Sequence, residues 1–255
     1  MKTNDPKKLA LLESLKGGLI VSCQTQKDEP IYTEDMVVKM AECAKWGGAV
    51  GLRLNSPEQI RQVKEADLGL PIIGLYKVWH EDTDVFITPT MKEVDEIVEA
   101  GADIIAIDCT AQKTHEGTIA WNLLPQVRKK YPDYLIFADV SNLEEAKHAS
   151  ANGAEIVAPT LYGYTKETAH IEGADFRMVA NMCRELQNEA CVIMEGHIYS
   201  PEDAMKCIFV GCHSVVVGSA ITRPHYVTKR FVDCLGKYQD NWRDAERAKH
   251  TNELK

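Results

Sequence analysis

The chain of 255 residues has no apolar run approaching the roughly 20 residues that a membrane helix needs. Its N-terminus, MKTNDPKKLALLESLKGG, carries charge but no long apolar core, so no secretory signal is expected there. A cytoplasmic protein that does not associate with membranes is the expectation. Basic residues are in deficit, with 29 Lys and Arg against 38 Asp and Glu and a net charge of −9. That balance argues against nucleic acid as a partner, because such proteins carry basic stripes. It does not exclude a small anion, which a few placed cations bind even inside an acidic protein. Eight cysteines are present, yet none forms C-x-x-C and no Cys/His pair has zinc-finger spacing. Cys23 follows Leu19-Ile20-Val21 and Cys191 precedes Val192-Ile193, so buried, reduced thiols are expected. The histidines at 80, 115, 170, 197 and 225 show no H-x-x-x-H or carboxylate pattern, and no metal is expected. Linkers rich in Gly, Ser or Pro are missing, as are low-complexity tracts. One domain over 1–255 follows, with a barrel over about 15–235 and a polar tail over 238–255.

What the chain does contain is a recurring unit. A helix-like stretch ends in Gly plus a small residue, and a β-branched run follows. It appears as MKEVDEIVEAGADIIAID, NLEEAKHASANGAEIVAPT and SPEDAMKCIFVGCHSVVVGSA, with a looser copy in EDMVVKMAECAKWGGAVGLRL. The glycine suits a helix C-terminus that needs a left-handed residue. Copies recur at roughly 50 residues, the length of two βα units. Strands are predicted at about 18–23, 48–53, 71–76, 103–108, 134–139, 155–159, 191–195 and 213–218. They are short, continuous and apolar, as parallel strands covered on both faces are. Ser56 to Gln59, Thr90 to Glu93 and Ser141 to Glu144 are spaced as capping boxes, and Ser200-Pro201 places a cap before a first-turn proline. The best architecture is a single α/β domain, a closed (β/α)8 barrel. An open doubly wound sheet is the alternative, and it lacks a G-x-G-x-x-G after the first strand.

In such a barrel the active site lies at the C-terminal ends of the strands. Gln24, Arg53, Lys77, Asp108, Asp139 and Glu195 each stand at or just beyond an apolar run. Ionisable groups gathered in one cleft are where shifted pKa values arise. Lys77 with Glu195 suits removal and return of a proton next to a carbonyl, while Lys77 alone would also suit a Schiff base. The stretch VVVGSAITRP offers Gly218, Ser219 and then Arg223 to an anion, with Gly196 as a further close-approach position.

Taken in order, GGLIVSCQ, GLRLN, PIIGLYK, ITPTMKEVDEIVEAGADIIAIDCT, ADVSNLEEA, TLYGYT, EGHIYSPEDA and VVVGSAITRP resemble the N-acetylmannosamine-6-phosphate 2-epimerases over about residues 15–235. The resemblance implies a barrel isomerase of amino-sugar metabolism and sialic acid degradation. Such an enzyme takes a small amino-sugar phosphate and needs no organic cofactor. It implies Lys77 and Glu195 as catalytic residues, and Gln24, Arg53 and Asp139 around the sugar. Asp108 would line the site. Tyr162 and Tyr164 would cover the substrate, and Gly196, Gly218, Ser219 and Arg223 would hold the phosphate. Two positions depart from the family's usual pattern: His197 where an arginine is common, and Val78 where a basic residue is common. The rival readings are an epimerase or aldolase for a different sugar phosphate, or a sugar-phosphate-binding barrel without turnover. The last helix, RPHYVTKRFVDCLGKY, has apolar spacing that suits a dimer interface as well as the barrel, and a homodimer is expected.

Overall fold

A computed structural model describes residues 3–171 and 173–236; the predicted tail over 238–255 lies outside them. Eight parallel strands close into a barrel in chain order, the last pairing with the first. They are β1 Leu19–Cys23, β2 Gly51–Asn55, β3 Ile72–Leu75, β4 Ile104–Asp108, β5 Leu135–Asp139, β6 Ile156–Ala158, β7 Cys191–Glu195 and β8 Ser214–Val217. The predicted strands match to within about two residues except β2, which was expected at 48–53. Gly47 and Gly48 instead complete the end of helix α2 (Met36–Trp46), Gly48 at φ +88°. The strand proper therefore starts later, and Arg53 sits in its middle.

Strand alternation divides the apolar residues into two cores. Outward positions such as Leu52, Leu54, Ile105, Ile107, Ile136 and Val157 pack beneath the helices. Inward positions such as Ile20, Ile73, Leu75, Ile104, Ala106, Leu135, Phe137, Ile156, Ala158, Ile193 and Val216 fill the barrel. Helix α1 (Pro6–Leu15) precedes β1 and was not expected as a separate element. Its Leu12 and Leu15 are buried in the inner core, so α1 closes the N-terminal end. There Lys8 reaches Glu155 (2.8 Å), which also pairs with Arg128 (2.5 Å). Both oxygens of this buried carboxylate are occupied, as a buried charge requires.

Helix starts carry their own caps. Thr90 forms the full capping box with Glu93 on α4 (Met91–Glu99). Ser200 accepts from Asp203 N (3.1 Å) at the start of α8 (Pro201–Phe209). On α6 (Leu143–Ala151) the cap is Asn142, which accepts from Glu145 N (2.9 Å). The Glu145 carboxylate turns back to Ser141 N (2.7 Å), so the expected box is displaced by one residue. Ser56 accepts from Gln59 N (3.4 Å) on α3 (Pro57–Glu65), but the return bond from Gln59 is missing.

Candidate active site

The alternation that buries apolar side chains inside the barrel also decides which polar ones converge at its mouth. On β3 the inward series runs Ile73, Leu75, Lys77; on β5 Leu135, Phe137, Asp139; on β7 Cys191, Ile193, Glu195. Each series is apolar in the barrel and becomes polar at the C-terminal end. A cavity of about 330 Å³ opens there. It is lined by Gln24, Arg53, Lys77, Thr160, Glu195, Gly196, Gly218, Ser219 and Arg223, with Tyr164, His197 and Tyr199 at its edge.

Arg53 organises the floor. It is 1% exposed, and its guanidinium pairs with Asp139 (2.7 Å) and with Glu195 while lying over the Phe137 ring at 4.9 Å. Asp139 also accepts from the Thr160 hydroxyl. A buried guanidinium is tolerable because two carboxylates face it. Glu195 is thereby held in one orientation at the rigid end of a strand.

Lys77 is anchored differently. Residues 76–88 fold back as a hairpin, with Val78 N donating to Phe86 O (2.9 Å) and Thr88 N to Tyr76 O (2.8 Å). The backbone N–H of Lys77 donates to Asn55 Oδ1 (2.8 Å), and its ammonium to Gln24 Oε1 (2.7 Å). Gln24 in turn donates to Ser22 Oγ (2.9 Å). Desolvation, helped by the nearby Arg53 and Arg223 cations, pulls the Lys77 pKa down to about 8.

The β8 end supplies space and charge. A Cβ at Gly218 would come within 3.3 Å of Ser22 Cβ, so glycine keeps this corner open. Arg223 lines the cavity and pairs with Glu29 of the β1–α2 loop at 3.1 Å. Sequence reasoning missed Glu29, because the contact spans most of the chain and no local pattern marks it.

Asp108 and Asp139 are buried below the mouth and do not line the cavity. Asp108 Oδ1 accepts from Thr110 N (2.8 Å) and from the Thr110 hydroxyl (2.7 Å), while Oδ2 has no partner. Burial pushes its pKa up to about 7 despite those bonds. The folded carboxyl therefore keeps a proton that the unfolded one releases, and stability falls as pH rises through the window up to about 7. Asp108→Asn retains an acceptor for Thr110 and removes the charge. We expect it to raise stability at pH 8 by about 1–3 kcal/mol and to change it little at pH 4, measured by urea denaturation.

Tyr162 is buried, and its hydroxyl donates to Asp175 (3.0 Å), the N-cap of α7 (Phe176–Leu186). Tyr164, two residues on, is the member of this pair that reaches the cavity edge. It stacks on His197 (5.2 Å between centroids). His197 has φ +56° and shares a hydrogen bond with Tyr162 O (3.0 Å). Val78 belongs to the hairpin that fixes Lys77.

The NanE family model, described as "Putative N-acetylmannosamine-6-phosphate epimerase", matches residues 37–237, more than half of the chain. The chain belongs to this family. A Listeria monocytogenes serovar 1/2a relative named "Putative N-acetylmannosamine-6-phosphate 2-epimerase" is 41% identical over 233 residues, covering 91% of this chain and 97% of its own. A Borrelia garinii relative of the same name is 43% identical over 232 residues, covering 90% and 99%. The solved N-acetylmannosamine-6-phosphate 2-epimerase from Clostridium perfringens superposes with a TM-score of 0.81 at 39% identity, covering 88% of this chain and 96% of that one. Pyrococcus furiosus thiamine phosphate pyrophosphorylase, at 16% identity and a TM-score of 0.57, shares the barrel fold. Membership of the NanE family accounts for the order in which the eight strand ends occur. Among the described residues no helix is long and apolar enough to cross a membrane.

Proposed function

We propose that this chain is an epimerase that interconverts N-acetylmannosamine 6-phosphate and N-acetylglucosamine 6-phosphate, in the catabolism of sialic acid and amino sugars. The observation that carries the proposal is one cavity holding both Lys77, with its pKa drawn to about 8, and the strand-end carboxylate of Glu195. Family membership supplies the sugar.

The open-chain aldehyde enters with its phosphate toward Gly196, Gly218, Ser219 and Arg223. One group of the Lys77–Glu195 pair takes the C2 proton, and the electron pair of the C–H bond moves toward the aldehyde oxygen. The Gln24 amide and the Arg53 guanidinium are donors for that developing oxyanion, the kind of stabilisation that dominates such reactions. The other group of the pair returns a proton to the opposite face. A working pair holds one proton in total: Lys77 charged with Glu195 ionised starts one direction, and the reverse distribution starts the other. Asp139 and Thr160 act through Arg53. Substrate and product are isomers, so no group is carried and no electron leaves. The test is to incubate the protein with N-acetylmannosamine 6-phosphate and follow the sugar by NMR. The gluco epimer should accumulate to equilibrium; binding without conversion would refute turnover.

Glu29 competes with the phosphate for Arg223. Removing its charge leaves the arginine free for the ligand. Glu29→Gln is expected to lower KM for the phosphorylated sugar by roughly threefold to tenfold with kcat little changed, since a paired charge of this kind is worth about 1 kcal/mol. Steady-state kinetics at fixed ionic strength checks it, and an unchanged or raised KM would contradict it.

A homodimer belongs to the same proposal. The helical residues 224–236 expose Phe231, Val232 and Leu235. Close by, an apolar cavity of about 370 Å³ is lined by residues including Leu19, Val21, Met36, Met40 and Ile221. Exposed apolar area on this scale marks an interaction face. Sedimentation velocity at micromolar concentration should show one species of twice the chain mass; a monomer would exclude the assembly. A cytoplasmic site of action is supported by the free thiols of Cys23, Cys43, Cys109, Cys183, Cys207, Cys212 and Cys234.

A further inference from the structure

Three of those cysteines converge outside the mouth cavity. Cys183 lies on α7, Cys207 on α8 and Cys212 in the turn before β8. The sulfurs of Cys183 and Cys212 stand 3.8 Å apart in hydrogen-bond contact, and the Cys207 thiol also interacts with that of Cys212. Gly211 makes the approach possible. It has φ +112°, and a Cβ there would lie 3.3 Å from Cys183 Cβ. Any larger residue at 211 would strain the backbone and crowd Cys183. The three thiols do not have the arrangement of a metal site; among the described residues no cluster of His, Cys, Asp or Glu does.

The thiols differ in access. Cys207 and Cys212 are buried, whereas Cys183 is partly exposed. The hydrogen bond with Cys212 holds the Cys183 thiol below its ordinary range, and the same bond, with that to Cys207, holds Cys212 far above its own. By contrast, burial pushes Cys23 up to about 12 and Cys191 up to about 11, and it raises Cys109 as well. Reactivity follows thiolate character and exposure together. Cys212 lowers Cys207 in the same way, but Cys207 is buried, so in this cluster only Cys183 combines the two, with a second sulfur already in contact.

We propose that Cys183 and Cys212 are a peroxide-reactive dithiol that closes to an intramolecular disulfide. The Cys183 thiolate attacks a hydroperoxide oxygen, so an S–O bond forms, the O–O bond breaks, and the other oxygen leaves as water or alcohol after taking up a proton. The Cys212 sulfur then attacks the Cys183 sulfur. An S–S bond forms, the S–O bond breaks, and water departs with the Cys212 proton. Two thiols are oxidised to one disulfide and one peroxide is reduced. Closure brings sulfurs now 3.8 Å apart to bonding distance, and a small-molecule dithiol reverses it.

The test uses the full chain with Cys43→Ser and Cys234→Ser, which removes the two exposed thiols. The protein is treated with hydrogen peroxide, alkylated under denaturing conditions and mapped by peptide mass spectrometry. A linked Cys183–Cys212 peptide pair should appear, reversible by dithiothreitol, at peroxide doses that leave Cys23 and Cys109 alkylatable. Cys183 should react at least roughly tenfold faster than either. In Cys212→Ser the linkage should vanish and Cys183 should be trapped by dimedone. Recovery of Cys183 and Cys212 as free thiols, or over-oxidation of Cys183 without linkage, would overturn the proposal, and the wild-type map decides this even if a variant fails to fold.

Discussion

Lys77→Met is expected to lower turnover by about 10³-fold while leaving the barrel more stable at neutral pH. The loss is of the size that a positioned acid or base contributes. It should appear in kcat, because Arg223, Gly196 and Gly218, which are proposed to hold the phosphate, are untouched. The gain in stability follows from the same desolvation that tunes the residue. The folded-state pKa of about 8 lies below the ordinary 10.5, so the folded protein binds fewer protons than the unfolded chain between those values. The penalty for the buried charge is complete below about pH 8 and disappears as pH rises toward 10.5. Methionine removes it, and ~1–3 kcal/mol of added stability is expected at pH 7, none at pH 10.5. Wild-type turnover should decline as pH rises through about 8, because a neutral Lys77 beside an ionised Glu195 leaves the pair without a proton to return. Near-normal kcat in the variant would remove Lys77 from the chemistry.

Arg53→Met is expected to cost about 3–5 kcal/mol of stability, since it strands carboxylates that the guanidinium now neutralises. Asp139 is fully buried and its other oxygen is taken by Thr160, and among the described residues it pairs with no cation besides Arg53. Glu195 reaches the cavity and can be hydrated. The asymmetry gives a second arm. Asp139→Asn added to Arg53→Met should recover at least half of the loss, whereas Glu195→Gln added to Arg53→Met should recover little. Chemical denaturation of the two double variants reads this directly. Equal recovery by both would show that the arginine does not discriminate between its partners. Neither double variant should regain turnover, because Arg53 is also an oxyanion donor in the proposed chemistry.

The fold was legible because its strands are short apolar runs set at even spacing, and because parallel strands buried on both faces leave little other reading. Two errors have local causes. Ala49 and Val50 extended the apparent second strand backward, although Gly47 and Gly48 still belong to the helix end. Half of helix α1 is apolar, but it precedes the first strand outside the repeating unit, and only the closed barrel shows that Leu12 and Leu15 form a plug.

At the site, the strand-end reading gathered Gln24, Arg53, Lys77 and Glu195 into one cavity because they share the inward face with the residues that fill the barrel. It did not separate lining residues from those beneath. Asp108 and Asp139 have the same inward register as Glu195 but are covered by Thr110 and by Arg53 with Thr160. Tyr162 and Tyr164 flank Gly163, whose φ of +87° turns the chain between them. Which ring faces the mouth depends on that turn and on Asp175, and the motif TLYGYT carries neither. Glu29 lies in a loop with Asp28, Glu34 and Asp35, and only the folded partner Arg223 singles it out.

Proton NMR of the purified protein with N-acetylmannosamine 6-phosphate in deuterated water tests the central claim most directly. The gluco epimer should form with deuterium at C2, and the remaining manno sugar should gain deuterium there as the reaction approaches equilibrium. Conversion with the C2 proton retained, or no conversion at all, would contradict proton transfer by Lys77 and Glu195.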